Sequence, residues 1–80
     1  MPIVHFSNAL THHTGGLAQV TIDAPRVKEL LVALVARFPG LELELGDLAV
    51  AIDGEVRPDA AYEVLSPQSE IYFVPKIAGG

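Results

Sequence analysis

The sequence contains no cysteine, few basic residues and no long apolar run. Without cysteine there is no disulfide, no thiolate metal ligand, no persulfide on a side chain and no cysteine nucleophile. Any sulfur handled by such a chain would have to sit elsewhere than on a side-chain thiol. Lysine and arginine number 5 against 10 acidic residues, for a net charge of −5. Nucleic acid is excluded as an expected partner, because phosphate contact needs clustered Lys and Arg. The acidic balance suits steering toward a basic partner, or plain solubility. No stretch reaches the roughly 18 apolar residues of a membrane span, so no membrane partner is expected. Met1-Pro2-Ile3-Val4-His5-Phe6 has no basic segment ahead of an apolar stretch, so it does not read as a signal peptide, and the expected compartment is the cytoplasm.

What is present is one domain's worth of chain: 80 residues, half of them hydrophobic, close to the lower size limit for a fold without staples. Residues 2–7 alternate like a strand, with Val4 and Phe6 on one side and Ile3, His5 and Ser7 on the other. Thr11-His12-His13-Thr14-Gly15-Gly16 reads as a turn, and residues 17–22 as a second strand forming a hairpin with the first. Asp23-Ala24-Pro25 reads as a helix start, with Asp23 as a candidate cap. Val27, Leu30, Leu31, Leu34, Val35 and Phe38 then follow helical spacing as one apolar stripe, with Lys28 and Arg37 off it. Of that stripe, Leu30, Leu31, Leu34, Val35 and Phe38 are expected to be almost inaccessible. Pro39-Gly40 stops the helix.

Leu41-Glu42-Leu43-Glu44-Leu45 alternates, yet it follows the helix so closely that a loop or short turn is expected. Residues 48–52 and 55–57 flank Asp53-Gly54, a pair suited to a two-residue hairpin turn with φ > 0 at both positions. Residues 58–69 form a connection, with a short turn or strand near residues 62–65. Residues 70–74 make the last strand, with Ile71 and Phe73 inward. The expected fold class is therefore α+β, a mixed sheet of four to five strands wrapped on one main helix, with the first and last strands central and parallel. The domain would span residues 1–74, and Pro75, which cannot donate to a sheet ladder, would release a flexible tail over residues 75–80.

That tail, Pro75-Lys76-Ile77-Ala78-Gly79-Gly80, is the candidate functional segment. A Gly-Gly end presents a carboxylate with no side chain behind it, able to enter a narrow channel in conformations closed to other residues. Such a carboxylate becomes reactive only after activation by another enzyme. Its bland alternative is a frayed terminus. Ile3, His5, Tyr72 and Val74 would share the outward face of the sheet, as scattered surface residues or as a docking patch. His5, His12 and His13 invite a metal site, but no acidic spacing joins them, and adjacent His12 and His13 would point to opposite faces of a strand; no metal is expected. Ser7, Ser66 and Ser69 lack any nucleophile elbow, so no catalytic residue is assigned and the chain is not expected to be an enzyme.

The final strand and tail, Glu70 to Gly80, together with Arg37-Phe38-Pro39-Gly40-Leu41 and His13-Thr14-Gly15-Gly16, resemble the ubiquitin-like β-grasp sulfur carriers. That group includes the small subunit of molybdopterin synthase, the thiamin sulfur carrier and the cysteine-biosynthesis carrier. The chain departs from the common pattern at Leu65-Ser66-Pro67-Gln68-Ser69-Glu70, at Asp53, where many members have Asn, and at Arg26, where Thr is frequent.

The resemblance implies a β-grasp fold and a carrier with no bound cofactor. An adenylating partner of the ubiquitin-activating type would use ATP on the Gly80 carboxylate. Sulfur, from sulfide or from a persulfide sulfurtransferase, would leave a Gly80 thiocarboxylate for a sulfur-accepting synthase of the cysteine, molybdopterin or thiamin type. Gly79 and Ala78 would give the tail access to the enzyme channel, while Tyr72, Val74, Lys76 and Ile77 would bind the partner. Two alternatives stand beside this reading. One is a ubiquitin-like modifier conjugated through Gly80 to target lysines, and the other is an interaction module with an inert tail.

Overall fold

The first and last strands meet at the centre of the sheet. In the computed structural model, which describes residues 1–57 and 59–75, strand β1 (Ile3–His5) lies parallel to β5 (Glu70–Pro75), Val4 opposite Ile71. Strand β2 (Gln19–Thr21) pairs antiparallel with β1, Val20 opposite Val4. Strand β3 (Leu48–Ile52) pairs antiparallel with β5 on its other side, and β4 (Glu55–Arg57) closes the order β2-β1-β5-β3-β4. Of the four to five strands expected in a mixed sheet, all five are present, with the first and last central and parallel.

Helix α2 (Val27–Arg37) covers one face. Val27, Leu30 and Leu34 are fully buried, and they pack in one core with Val4, Phe6, Val20, Val50, Ile52, Ile71 and Phe73 of the strands. The stripe is narrower than its spacing suggests: Leu31 and Phe38 pack at the edge of the core, and with Val35 they are only half-buried. A single sheet face meets a helix along one line, so side chains off that line, or past the helix end as Phe38 is, reach only the rim. Lys28 and Arg37 are exposed, as expected.

The helix begins at Val27 with Arg26 at the N-cap, later than Asp23-Ala24-Pro25 suggests, and no side chain caps it. Backbone from the connection does that work. The Val27 N–H donates to the Glu63 carbonyl at 3.1 Å, the Leu65 N–H donates to the Pro25 carbonyl at 2.9 Å, and Arg26 bridges Val64. The connection itself carries a 3-10 turn at Ala60–Tyr62.

Two short helices depart from expectation. Helix α1 (Asn8–Thr11) interrupts the first hairpin, and Gly15 and Gly16, at φ 68° and 90°, return the chain to β2. Residues 41–45 form helix α3 (Leu41–Leu45) rather than a loop. Leu41 is fully buried and Leu45, one turn on, packs against the same core. Leu43 between them is exposed; a strand would put all three leucines on one face, whereas a helix turns Leu43 away from the other two. The Asp53-Gly54 turn is as expected, with φ 51° and 88°. Strand β5 runs one residue past Val74, since Pro75 still pairs with Leu48.

Candidate functional site: the outer face and outlet of β5

Alternation along β5 sends Ile71 and Phe73 into the core and Tyr72 and Val74 to the opposite, helix-free face. The register places His5 beside Tyr72 on one flank and Ala51 on the other, with Val56 beyond Ala51. Ala49 lies beside Val74. The result is a row across the sheet, His5–Tyr72–Ala51–Val56, with Val74–Ala49 as a second row nearer the C-terminal end of β5. Tyr72 is 41% and Val56 55% exposed. Ala51 is buried yet does not belong to the core cluster, because its larger neighbours on this outer face cover it.

The His5 ring stacks on Tyr72 with centroids 4.4 Å apart and planes 5° from parallel. His5 Nε2 lies 3.0 Å from Glu70 Oε1. These contacts pack the two rings flat against each other on the outer face. Of the four residues expected outward, Ile3 and Val74 are half-buried, His5 is half-buried under Tyr72, and Tyr72 is exposed. Ala49, Ala51, Val56 and Glu70 belong to the same face. Alternation within β3 groups Ala49 with Ala51, but only the register tells which strand they sit beside.

Because β5 is parallel to β1, Pro75 sits at the end of the sheet where β1 gives way to α1 and where β3 begins at Leu48. Gly40 and α3 stand at that same end. The expected tail residues Lys76, Ile77, Ala78, Gly79 and Gly80 lie outside the described residues.

The other candidates resolve into turn structure. His12 caps the C-terminus of α1, and its ring faces His13 at 4.1 Å rather than pointing away, because the pair sits in a turn and not on a strand. His13 Nε2 lies 3.7 Å from Glu44 Oε1. Among the described residues no group of three or more His, Asp or Glu is placed to hold a metal ion. Ser69 Oγ accepts the Ser66 N–H at 2.9 Å, and the two hydroxyls are 3.1 Å apart. A cleft of about 250 Å³ beside Ser66 is lined by Met1, Pro2, Asp23, Ala24, Pro25, Leu65 and Pro67, with no histidine to act as a base. No helix among the described residues is long and apolar enough to cross a membrane.

Comparison with known proteins agrees with this arrangement. No curated protein is similar enough in sequence to count as a match. Among solved structures, the Amycolatopsis orientalis BexX/CysO complex contains a chain 20% identical, with a TM-score of 0.85 and full coverage of both chains. The small archaeal modifier protein SAMP1 of Methanosarcina acetivorans is 18% identical, with a TM-score of 0.82 over 99% of this chain and 95% of that one. The complex of subunits 1 and 2 of the Helicobacter pylori molybdopterin-converting factor gives 25% identity and a TM-score of 0.71 over 99% of this chain and 97% of that one. The model of the ThiS family matches residues 4–80, from the first central strand through the Gly-Gly end, and the chain accordingly belongs to the ThiS family of ubiquitin-like β-grasp sulfur carriers.

Proposed function

We propose that the Gly80 carboxylate is this chain's reactive group, loaded by a partner enzyme and discharged to a small-molecule acceptor. The Gly80 carboxylate attacks the α-phosphorus of ATP on an adenylating partner, forming an acyl-adenylate and releasing pyrophosphate. Sulfide then attacks the acyl carbon and expels AMP, leaving a thiocarboxylate. Where the donor is a persulfide, its terminal sulfur forms an acyl disulfide, and a second thiol attacks the donor's sulfur to free the thiocarboxylate. The nucleophilic thiocarboxylate sulfur is delivered to an electrophilic carbon on a synthase, and hydrolysis returns the Gly80 carboxylate. The product is of the cysteine, molybdopterin or thiamin type. In this scheme the chain contributes no catalytic side chain: it positions the tail and docks.

The observation that carries this reading is the placement of β5. A central strand flanked by β1 and β3 resists pulling and bending, and it ends at Pro75, immediately before the tail in the chain. The apolar rows on its outer face supply a docking surface on the same strand, so the surface and the reactive end are neighbours in the chain. Tyr72 and Val74 contact the partner there, with Lys76 and Ile77 continuing the contact and Gly79 and Ala78 allowing entry into a narrow channel.

The test is intact mass after incubation with an adenylating enzyme, ATP and a sulfur source. The expected result is a gain of about 16 Da, one oxygen replaced by sulfur. Deletion of Gly80, or Gly79→Trp, abolishes the gain and leaves the melting temperature unchanged. A ladder of conjugated proteins, without the mass gain, would establish the modifier reading instead.

A further inference from the structure

The two edges of the sheet differ in how they are guarded. On β4, Glu55 and Arg57 flank Val56; Arg57 lies 2.8 Å from Glu55 and 3.8 Å from Glu63. Charges on an edge strand discourage another strand from pairing with it. The opposite edge, β2, is Gln19-Val20-Thr21, with no charge at all. Its hydrogen-bond phase is set by two bonds: the Phe6 N–H donates to the Ala18 carbonyl at 2.8 Å, and the Ile22 N–H donates to the Pro2 carbonyl at 3.0 Å. Residues 18, 20 and 22 thus turn their backbone groups toward β1. Gln19 and Thr21 must turn theirs away, presenting two N–H and two C=O groups along the open edge.

Beside this edge is a cleft of about 310 Å³ between β2 and the last turn of α2, lined by Leu17, Gln19, Val20, Thr21 and Arg37. Leu17 is 42% exposed. The Arg37 guanidinium lies 5.2 Å from the Phe38 ring centroid and makes no ion pair among the described residues. In a chain with twice as many acids as bases, it is a cation left available next to an open strand edge.

We propose that β2 is a docking edge for an extended segment of a partner protein, which adds as a sixth strand. Gln19 and Thr21 supply the main-chain hydrogen bonds. Alternate side chains of the incoming strand lie over the cleft, two apolar ones against Leu17 and Val20 and one carboxylate on Arg37. Backbone pairing gives such a site affinity, and the cleft and Arg37 give it register. This surface is at the sheet's edge, three residues wide, and is separate from the β5 face. It does not depend on the chemistry of Gly80.

The probe is the capped peptide Thr-Val-Thr-Val-Thr-Asp-Thr, whose Val, Val and Asp share one face when extended. It is titrated into the full-length, nitrogen-15-labelled chain. Amide shifts are expected at Leu17, Gln19 and Thr21, with hydrogen exchange slowed at Gln19 and Thr21. Arg37→Glu should weaken binding about fivefold, the scale of an exposed ion pair, and the peptide with Lys in place of Asp should regain that factor on this variant. If Arg37→Glu fails to fold, Arg37→Gln is read in the same way, as a loss of discrimination between the two peptides. Absence of shifts on β2, shifts centred on His5 and Tyr72 instead, or equal effects of Arg37→Glu on both peptides would each overturn the proposal.

Discussion

Gly40 shows how one atom can join two distant parts of this chain. It is not there for a positive φ, since its φ is −64°. A Cβ at this position would lie 2.6 Å from His13 Nδ1 and 3.4 Å from His13 Cγ. The ring cannot withdraw freely, because it is half-buried between His12 and Glu44. Gly40→Ala should therefore destabilise the fold by about 1–3 kcal/mol, the usual cost of forcing a packed site apart. In urea titrations the further change His13→Ala should recover most of that loss. A double variant no better than Gly40→Ala alone would disprove the contact as the cause.

Asp53 is the second residue whose identity matters locally. It sits at φ 51°, and its Oδ1 accepts the Glu70 N–H at 2.9 Å, fastening the β3–β4 turn to the start of β5. Asn keeps the tolerance of that φ and an acceptor oxygen; Ala keeps neither. Asp53→Ala should cost about 1–3 kcal/mol and Asp53→Asn clearly less, as read from denaturation midpoints.

At the scale of elements, α2 was legible as a helix from its apolar spacing, but its contact line was not. Val27, Leu30 and Leu34 carry the contact, while Val35 stands at the edge. Leu34→Ala should cost about 2–5 kcal/mol and Val35→Ala about 1 kcal/mol. Equal costs in urea unfolding would mean that the helix is rotated from the position described. The shorter helices escaped sequence reasoning for a physical reason. Four residues at Asn8–Thr11 are too few to show a period, and the Leu-Glu alternation of residues 41–45 follows strand period while Leu41 and Leu45 are also one helical turn apart. The start of α2 was misplaced because its cap is backbone from residues 63–65, which no local pattern near Asp23 reveals.

For the whole molecule, the relevant property is that the proposed docking face lies on β5, the strand that precedes the proposed reactive end in the chain. Val74 is half-buried beside Ala49 on the outer face and makes no part of the core cluster. Val74→Asp should weaken binding to the adenylating partner by about tenfold, as loss of an apolar anchor does, while the circular dichroism spectrum and the melting temperature stay close to those of the unaltered chain. Normal binding by a folded Val74→Asp variant would place the docking face elsewhere.

The sequence alone determined the five strands and the main helix, the φ > 0 turn at Asp53-Gly54, the inward set Ile71 and Phe73, and the lack of any thiol for sulfur chemistry, since each follows from composition or from contacts a few residues apart. The likeness of Glu70–Gly80 to the sulfur carriers was also readable there, because a Gly-Gly end is a property of the chain and needs no fold. Only the tertiary structure decided that His5 stacks on Tyr72, that Ala51 and Val56 complete their row, that His13 rests on Gly40 and that β2 is the uncharged edge. These depend on strand order and register, which are set by which hydrophobic faces can be buried together across the whole chain.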